Sequence, residues 1–365
     1  MSKLPLTALV ALPLIFGLAA CSGSGASDPG VATEDALERA GVKTHARNVE
    51  HPAGLMATDS HVYFSANHFV ASGEPELDQE FAYWEGKYSR VALGGGRREK
   101  VSDAGLTRVR KAGKKLFVAT GSSCWISVMD TSEAEPSQKG IYTDEDCTGE
   151  GGGEPAGFEV TDDKFAVVRE GGELMVGKHD GTGMRKVGEF KFADYAGFIS
   201  QTALADDHVF VITHKNFTDS RTNRVLPQTI FSLPLSGGTP KTVLEFPAAD
   251  ALAENLISDG KNLYFTQGKK VMALKSGASE ATMLDDDFGG VYDLAADGKN
   301  VYVADGKRGA LYAIKDALTA PKHVKLADAK GVTSVVASGE RLYYGTHAYA
   351  GNKPAGVVAS LPIPE

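Results

Sequence analysis

The chain has 365 residues, 42% of them apolar and 23% charged, enough to bury a full core and too apolar for an intrinsically disordered protein. Its formal charge of −9, with no basic block, argues against nucleic acid as a partner. With 42 glycines and 15 prolines it falls far short of collagen or a low-complexity Gly/Pro protein, and glycine in that amount suits many tight turns and therefore many short strands.

In chain order, Met1 to Lys3 make a short basic start, residues 4–18 a mostly apolar run, and Leu18-Ala19-Ala20-Cys21 closes it. The run is too short for a comfortable membrane span, and Pro5 and Pro13 weaken a helix, so the pattern is that of a secretory signal. The Leu-Ala-Ala-Cys ending resembles the lipobox of bacterial lipoproteins. That resemblance implies cleavage before Cys21, diacylglycerol on its thiol and acylation of the new amino terminus. The alternative is a secreted protein with a chance cysteine there. Ser22, in place of the Asp that retains such lipoproteins at the inner membrane, implies the outer membrane of a Gram-negative envelope and leaves the face open. Residues 1–20 are thus read as signal peptide, 21–41 as a flexible Gly/Ser-rich tether and 42–365 as the globular domain. Losing Lys3 takes the charge from −9 to −10.

One pattern then recurs seven times: a small residue or Gly, a short alternating strand, a turn rich in Asp and Gly, and a strand with a central aromatic residue. The cleanest copies are 256–268 and 290–305; the others are 54–66, 105–121, 157–171, 199–214 and 332–347. Their central residues are Tyr63, Phe117, Ala166, Phe210, Tyr264, Tyr302 and Tyr343, a mean spacing of about 47, in the range of four-stranded propeller blades. Asp259-Gly260 and Asp297-Gly298 are strong hairpin signals. A glycine precedes the first strand in six copies, and Glu254-Asn255 stands there in the fifth. The last copy lacks a fourth strand, whereas 42–52 resembles the fourth strand at 241–247. The spacing therefore predicts an all-β, seven-bladed propeller of four-stranded antiparallel blades, closed by the N-terminal strand. The repeats resemble those of the TolB-like and NHL-like propellers of bacterial envelopes, a resemblance that covers residues 42–365 and implies fold rather than function.

Cys124 and Cys147 fall at the adjacent ends of two predicted antiparallel strands, and in an exported protein they read as a disulfide. A redox or metal pair is the alternative, although no CxxC occurs.

The connections between second and third strands are unequal. Residues 66–87, 214–228 and 347–356 are long and read as loops, which carry function more often than strands do. They hold His68, His214 and His347, either a shared metal or anion site or three solvated histidines. They also hold Phe69, Tyr83, Trp84, Phe217 and Tyr349, either a contact patch for protein or glycan or local packing. Arg108, Glu159, Asn255 and Asp293 are candidates to line the channel. An oxygen-rich Glu/Asn/Asp set resembles the calcium ligands of propeller lactonases, without their strand contexts or a channel histidine. No metal site, catalytic residue or cofactor is assigned. The leading reading is a lipid-anchored envelope propeller that binds a protein or other ligand without covalent chemistry. The alternatives are a metal-dependent hydrolase or lyase of the lactonase type and a carbohydrate-binding surface lipoprotein.

Overall fold

The computed structural model describes residues 41–74, 79–103, 106–120, 125–143, 156–169, 171–190, 199–213, 218–219, 224–225, 227–247, 250–351 and 353–363. For 68–74, 79–85, 106–107, 120, 218–219 and 224–225 it describes the backbone alone. Cys21, Cys124, Cys147, His214 and Phe217 lie outside the described residues.

The protein is a seven-bladed β-propeller. Each blade is a four-stranded antiparallel sheet, its strands lettered A to D from the channel outward. The seven strands A are Pro52–Ala57, Leu106–Ala112, Gly157–Val160, Ile199–Ala205, Ala253–Ser258, Val291–Ala296 and Val332–Ser338. Each contacts the next around the ring, and the seventh contacts the first.

Packing runs between blades rather than within them. Tyr302 and Leu311 of blade six share a core with Val335, Leu342 and Tyr344 of blade seven, and Val62 and Phe64 of blade one with Tyr343 and Val358 of blade seven. A blade sheet is thus covered on both faces, so its second strand is apolar at consecutive positions. In blade five, Leu263, Tyr264 and Phe265 are all buried.

The ring closes as the sequence predicts. Lys43–Val49 is strand D of blade seven and pairs with Gly356–Pro362, from Lys43 opposite Ser360 to Val49 opposite Gly356. The sheet order is Lys43–Val49, Gly356–Pro362, Arg341–Thr346, Val332–Ser338, so the chain's own beginning covers what would be an open edge.

The Asp-Gly turns do more than reverse the chain. Asp259 Oδ1 accepts from the backbone N–H groups of Lys261 (2.9 Å) and Asn262 (2.7 Å), and Oδ2 from Tyr264 Oη (2.8 Å) and Asn262 Nδ2 (3.1 Å). Asn262 Oδ1 in turn accepts from the Ser276 N–H in the C–D turn (3.2 Å). Asp297, Asn300, Tyr302 and Asp316 repeat the arrangement in blade six. The Asp-Gly-Lys-Asn-x-Tyr string therefore ties both turns of a blade end together.

The departure at Asn255 is also explained. Strand A of blade five shifts register between Glu254 and Ile257, and strand A of blade one between Ala53 and Met56. Gly54 (φ 55°) and Asn255 (φ 55°) occupy the same position of these bulges. Asn is one of the few residues besides glycine that adopts this conformation readily.

The long connections differ from the loops read in the sequence. Residues 66–87 continue the blade: strand B of blade one is His61–Glu74, strand C is Gln79–Ala92, and they stay in register from His61 opposite Ala92 to Glu74 opposite Gln79. The Phe, Val, Tyr and Trp residues here suit an extended ribbon as well as a loop. Shorter ribbons pair Thr218–Asp219 with Arg224–Val225 and Tyr349–Ala350 with Lys353–Pro354.

Candidate functional site

Strands A carry the polar groups of the channel. Arg108 and Arg110 are two residues apart on strand A of blade two and so share one side of it. Arg108 donates to the Ala156 carbonyl beside blade three and to the Ser200 carbonyl of blade four (3.2 Å). Arg110 donates through Nε and Nη2 to the two carboxylate oxygens of Glu159 in blade three, both at 2.8 Å, and Glu159 also accepts from Thr202 Oγ1 of blade four (2.8 Å). Glu159 is buried, and the paired guanidinium and hydroxyl replace the water it gives up.

The other inner stitches are neutral or singly charged. Gln201 Oε1 accepts from the Leu256 N–H (2.6 Å), linking blades four and five. Ser334 Oγ donates to the Pro52 carbonyl (3.1 Å), linking seven and one, and Lys111 Nζ to the Ala57 carbonyl (3.2 Å), linking two and one. Asp293 of blade six accepts from its neighbour Leu294 N–H and, across the blade boundary, from Val335 N–H, both at 2.9 Å. Burial pushes its carboxyl up to about 7, against the pull of those two N–H groups.

Of the four channel residues read from the sequence, Arg108 and Glu159 each take part in bonds that join blades two, three and four, whereas Asp293 and Asn255 stand in separate blades. Asn255 Nδ2 donates to Thr266 Oγ1 within its own blade (3.3 Å). Glu159, Asn255 and Asp293 thus each serve a different partner, and the structure does not bring them together as an ion-binding set. Among the described residues no group of three His, Cys, Asp or Glu side chains is placed to hold a metal. Sequence reading missed Arg110, Thr202 and Gln201; the two-residue spacing of Arg108 and Arg110 was the signal available for the first.

A second cluster lies where blade seven meets blade one. The His347 imidazole stacks on His51 with ring centroids 3.4 Å apart, Tyr349 meets His347 edge-on at 4.9 Å, and the Tyr349 hydroxyl donates to the Glu50 carboxylate. Burial and the neighbouring His347 hold His51 down at about 4, and burial lowers His347. Tyr349 is half-exposed. His347 and Tyr349, two positions apart in one of the long connections, have His51 and Glu50 as partners that only the ring closure supplies. His68 is opposite Glu85 in the blade-one hairpin, Phe69 opposite Trp84 and Val70 opposite Tyr83.

No protein-family profile and no curated protein matches the chain. Solved structures do. A catalytically inactive variant of virginiamycin B lyase from Staphylococcus aureus, solved with quinupristin, aligns with TM-score 0.60 and 11% identity over 88% of this chain and 98% of that one. YCF48 from Cyanidioschyzon merolae aligns with TM-score 0.58 and 13% identity over 88% and 98%. YCF48 bound to the D1 peptide aligns with TM-score 0.55 and 12% identity over 89% and 94%. At these identities the likeness establishes fold alone: this chain is a seven-bladed propeller of the kind that virginiamycin B lyase and YCF48 share.

Proposed function

We propose that this protein is a lipid-anchored propeller of the bacterial envelope that works by binding a protein partner, with the blade-one hairpin as its principal contact. The observation that carries this reading is that hairpin. Strand A of blade one pairs with strand B only as far as Ala66, and strand D, Glu99–Ser102, reaches only Tyr88 of strand C. Among the described residues, Asn67–Glu74 and Gln79–Lys87 run on with only each other as sheet partners, and their sequence is rich in aromatic residues. A two-stranded ribbon of this kind is marginally stable alone and gains from being covered. In the channel, by contrast, Arg110, Glu159 and Thr202 are engaged with one another across blades. YCF48, of the same fold, has been solved with a bound peptide.

Deleting residues 69–86 tests the reading. Crosslinking in cells followed by mass spectrometry is expected to lose its protein adducts while the melting temperature holds. A collapse of the melting temperature makes the hairpin structural and overturns the proposal, and retained adducts move the contact elsewhere. Loss of oligosaccharide retention instead favours the carbohydrate reading, with Tyr83 and Trp84 stacking on sugar. The anchor is tested separately: Cys21→Ser is expected to leave the membrane fraction. Alkylation without reductant reads the proposed Cys124–Cys147 disulfide, which two free thiols would exclude.

A second reading, a hydrolase or lyase working in the channel, draws on Asp293, whose carboxyl near 7 suits proton transfer at neutral pH. A stoichiometric, tightly held ion in the purified chain would favour its metal-dependent form.

A further inference from the structure

Between blades four and five, at the end of the ring formed by the A–B and C–D turns, lies a cavity of about 480 Å³. Its apolar lining includes the buried Leu263 and Leu274 and the half-buried Phe210. Its charged rim is Lys241, Lys261 and Lys275 against the single carboxylate of Asp206, which accepts from the Ser276 hydroxyl. None of the three lysines forms an ion pair among the described residues. Three ammonium groups and one carboxylate leave the rim at +2 in a chain whose net charge is −9. The hydroxyls of Ser232, Thr242 and Ser279 add neutral hydrogen-bonding groups.

A phosphate monoester carries about −2 at neutral pH and presents acceptor oxygens in several directions, which suits a rim whose lysines come from two adjacent blades. A monocarboxylate would leave one of the two excess charges unbalanced. The cavity is also within the usual volume range of small-ligand sites, roughly 300–1,000 Å³.

The position of the chain's beginning suggests where such a group comes from. In the closing strand Lys43 lies opposite Ser360, toward the C–D end of its neighbour, and Arg341, which opens strand B after the A–B turn, donates to the Gly41 carbonyl (3.0 Å). Residue 41 therefore leaves the ring at the same end as the lysine cavity. Only residues 22–40 separate it from Cys21.

We propose that this cavity is a phosphate-monoester site, filled by the headgroup of an anionic lipid in the bilayer that holds the Cys21 anchor. The phosphate site stands on the cavity alone, and the lipid source rests on the anchor reading.

The test is calorimetric titration of the full-length chain in neutral detergent with two probes, glycerol 3-phosphate and dihexanoyl phosphatidic acid. Both are expected to saturate at one per chain, the lipid binding more tightly. Lys241→Gln/Lys261→Gln/Lys275→Gln is expected to weaken both by about tenfold or more, whereas Asp206→Asn tightens them. Lys114→Gln, in the A–B turn of blade two, is the control and leaves both unchanged, with melting temperatures confirming the fold throughout. Glycerol 3-phosphate bound as tightly as the lipid overturns the lipid source and retains the phosphate site. No saturable binding, or equal binding by the triple variant, overturns the site. Cys21→Ser protein is expected to bind both probes normally, so failure of the anchor is read by membrane fractionation and failure of the site by titration.

Discussion

Arg110 and Glu159 show what a buried charge does in this ring. The pair joins blade two to blade three, and Thr202 extends it to blade four. Removing the guanidinium leaves a buried carboxylate without its counter-charge, so Arg110→Ala is expected to cost about 3 kcal/mol in chemical denaturation, and Glu159→Gln less. Gly157 belongs to the same network: a Cβ there would collide with the Thr202 side chain and the Arg108 guanidinium. Asp293 acts through pH. Its folded carboxyl holds a proton up to about 7 while the unfolded chain releases it near 3.8, so ionisation of this group lowers stability as pH rises from about 4 to 7. Asp293→Asn is expected to remove that decline from melting temperatures measured across the range.

Among the elements, the closing strand carries its own titration. His45 is buried, its Nε2 hydrogen-bonds the Ser360 hydroxyl (2.8 Å), and Ser360 accepts from Arg341 Nε (2.9 Å). Burial first, then the Lys43 and Arg341 charges, hold the imidazole down at about 4. The unfolded chain takes up the proton at about 6.5, so stability falls as pH drops through 6.5 and the loss is complete below about 4, on the order of 3 kcal/mol. His45 and Asp293 thus oppose each other over nearly the same window. His45→Gln is expected to make acidification less destabilising, and Asp293→Asn to make it more so; parallel melts from pH 4 to 7 separate them. Element limits show where the sequence was legible. The aromatic content of residues 66–87 was visible, but their length past the blade invited a loop assignment. Strand pairing between His61–Glu74 and Gln79–Ala92 is a property of the two segments together.

For the whole molecule, stability depends on closure. Without Lys43–Val49, the outer edge of Gly356–Pro362 loses its hydrogen-bond partners, and Ala46 and Val49 leave the core they share with blade one. Deleting residues 43–49 is expected to lower the melting temperature and to produce oligomers through the exposed edge, read by light scattering. An unchanged melting temperature would mean that the ring is held by its other interfaces.

The sequence by itself determined the repeat, the number of blades, the strand that closes them and the turns that separate them, because strand alternation and short turns bearing Asp or Gly are local and recur from copy to copy. The lysine cavity, the His51–His347 stack and the Arg110–Glu159–Thr202 network were decided only by the tertiary structure. Their members are dozens to hundreds of residues apart, and no periodicity in one blade specifies which side chain of the next will meet it. Ring geometry sets those meetings, by bringing each blade's inner strand and turns against its neighbour's.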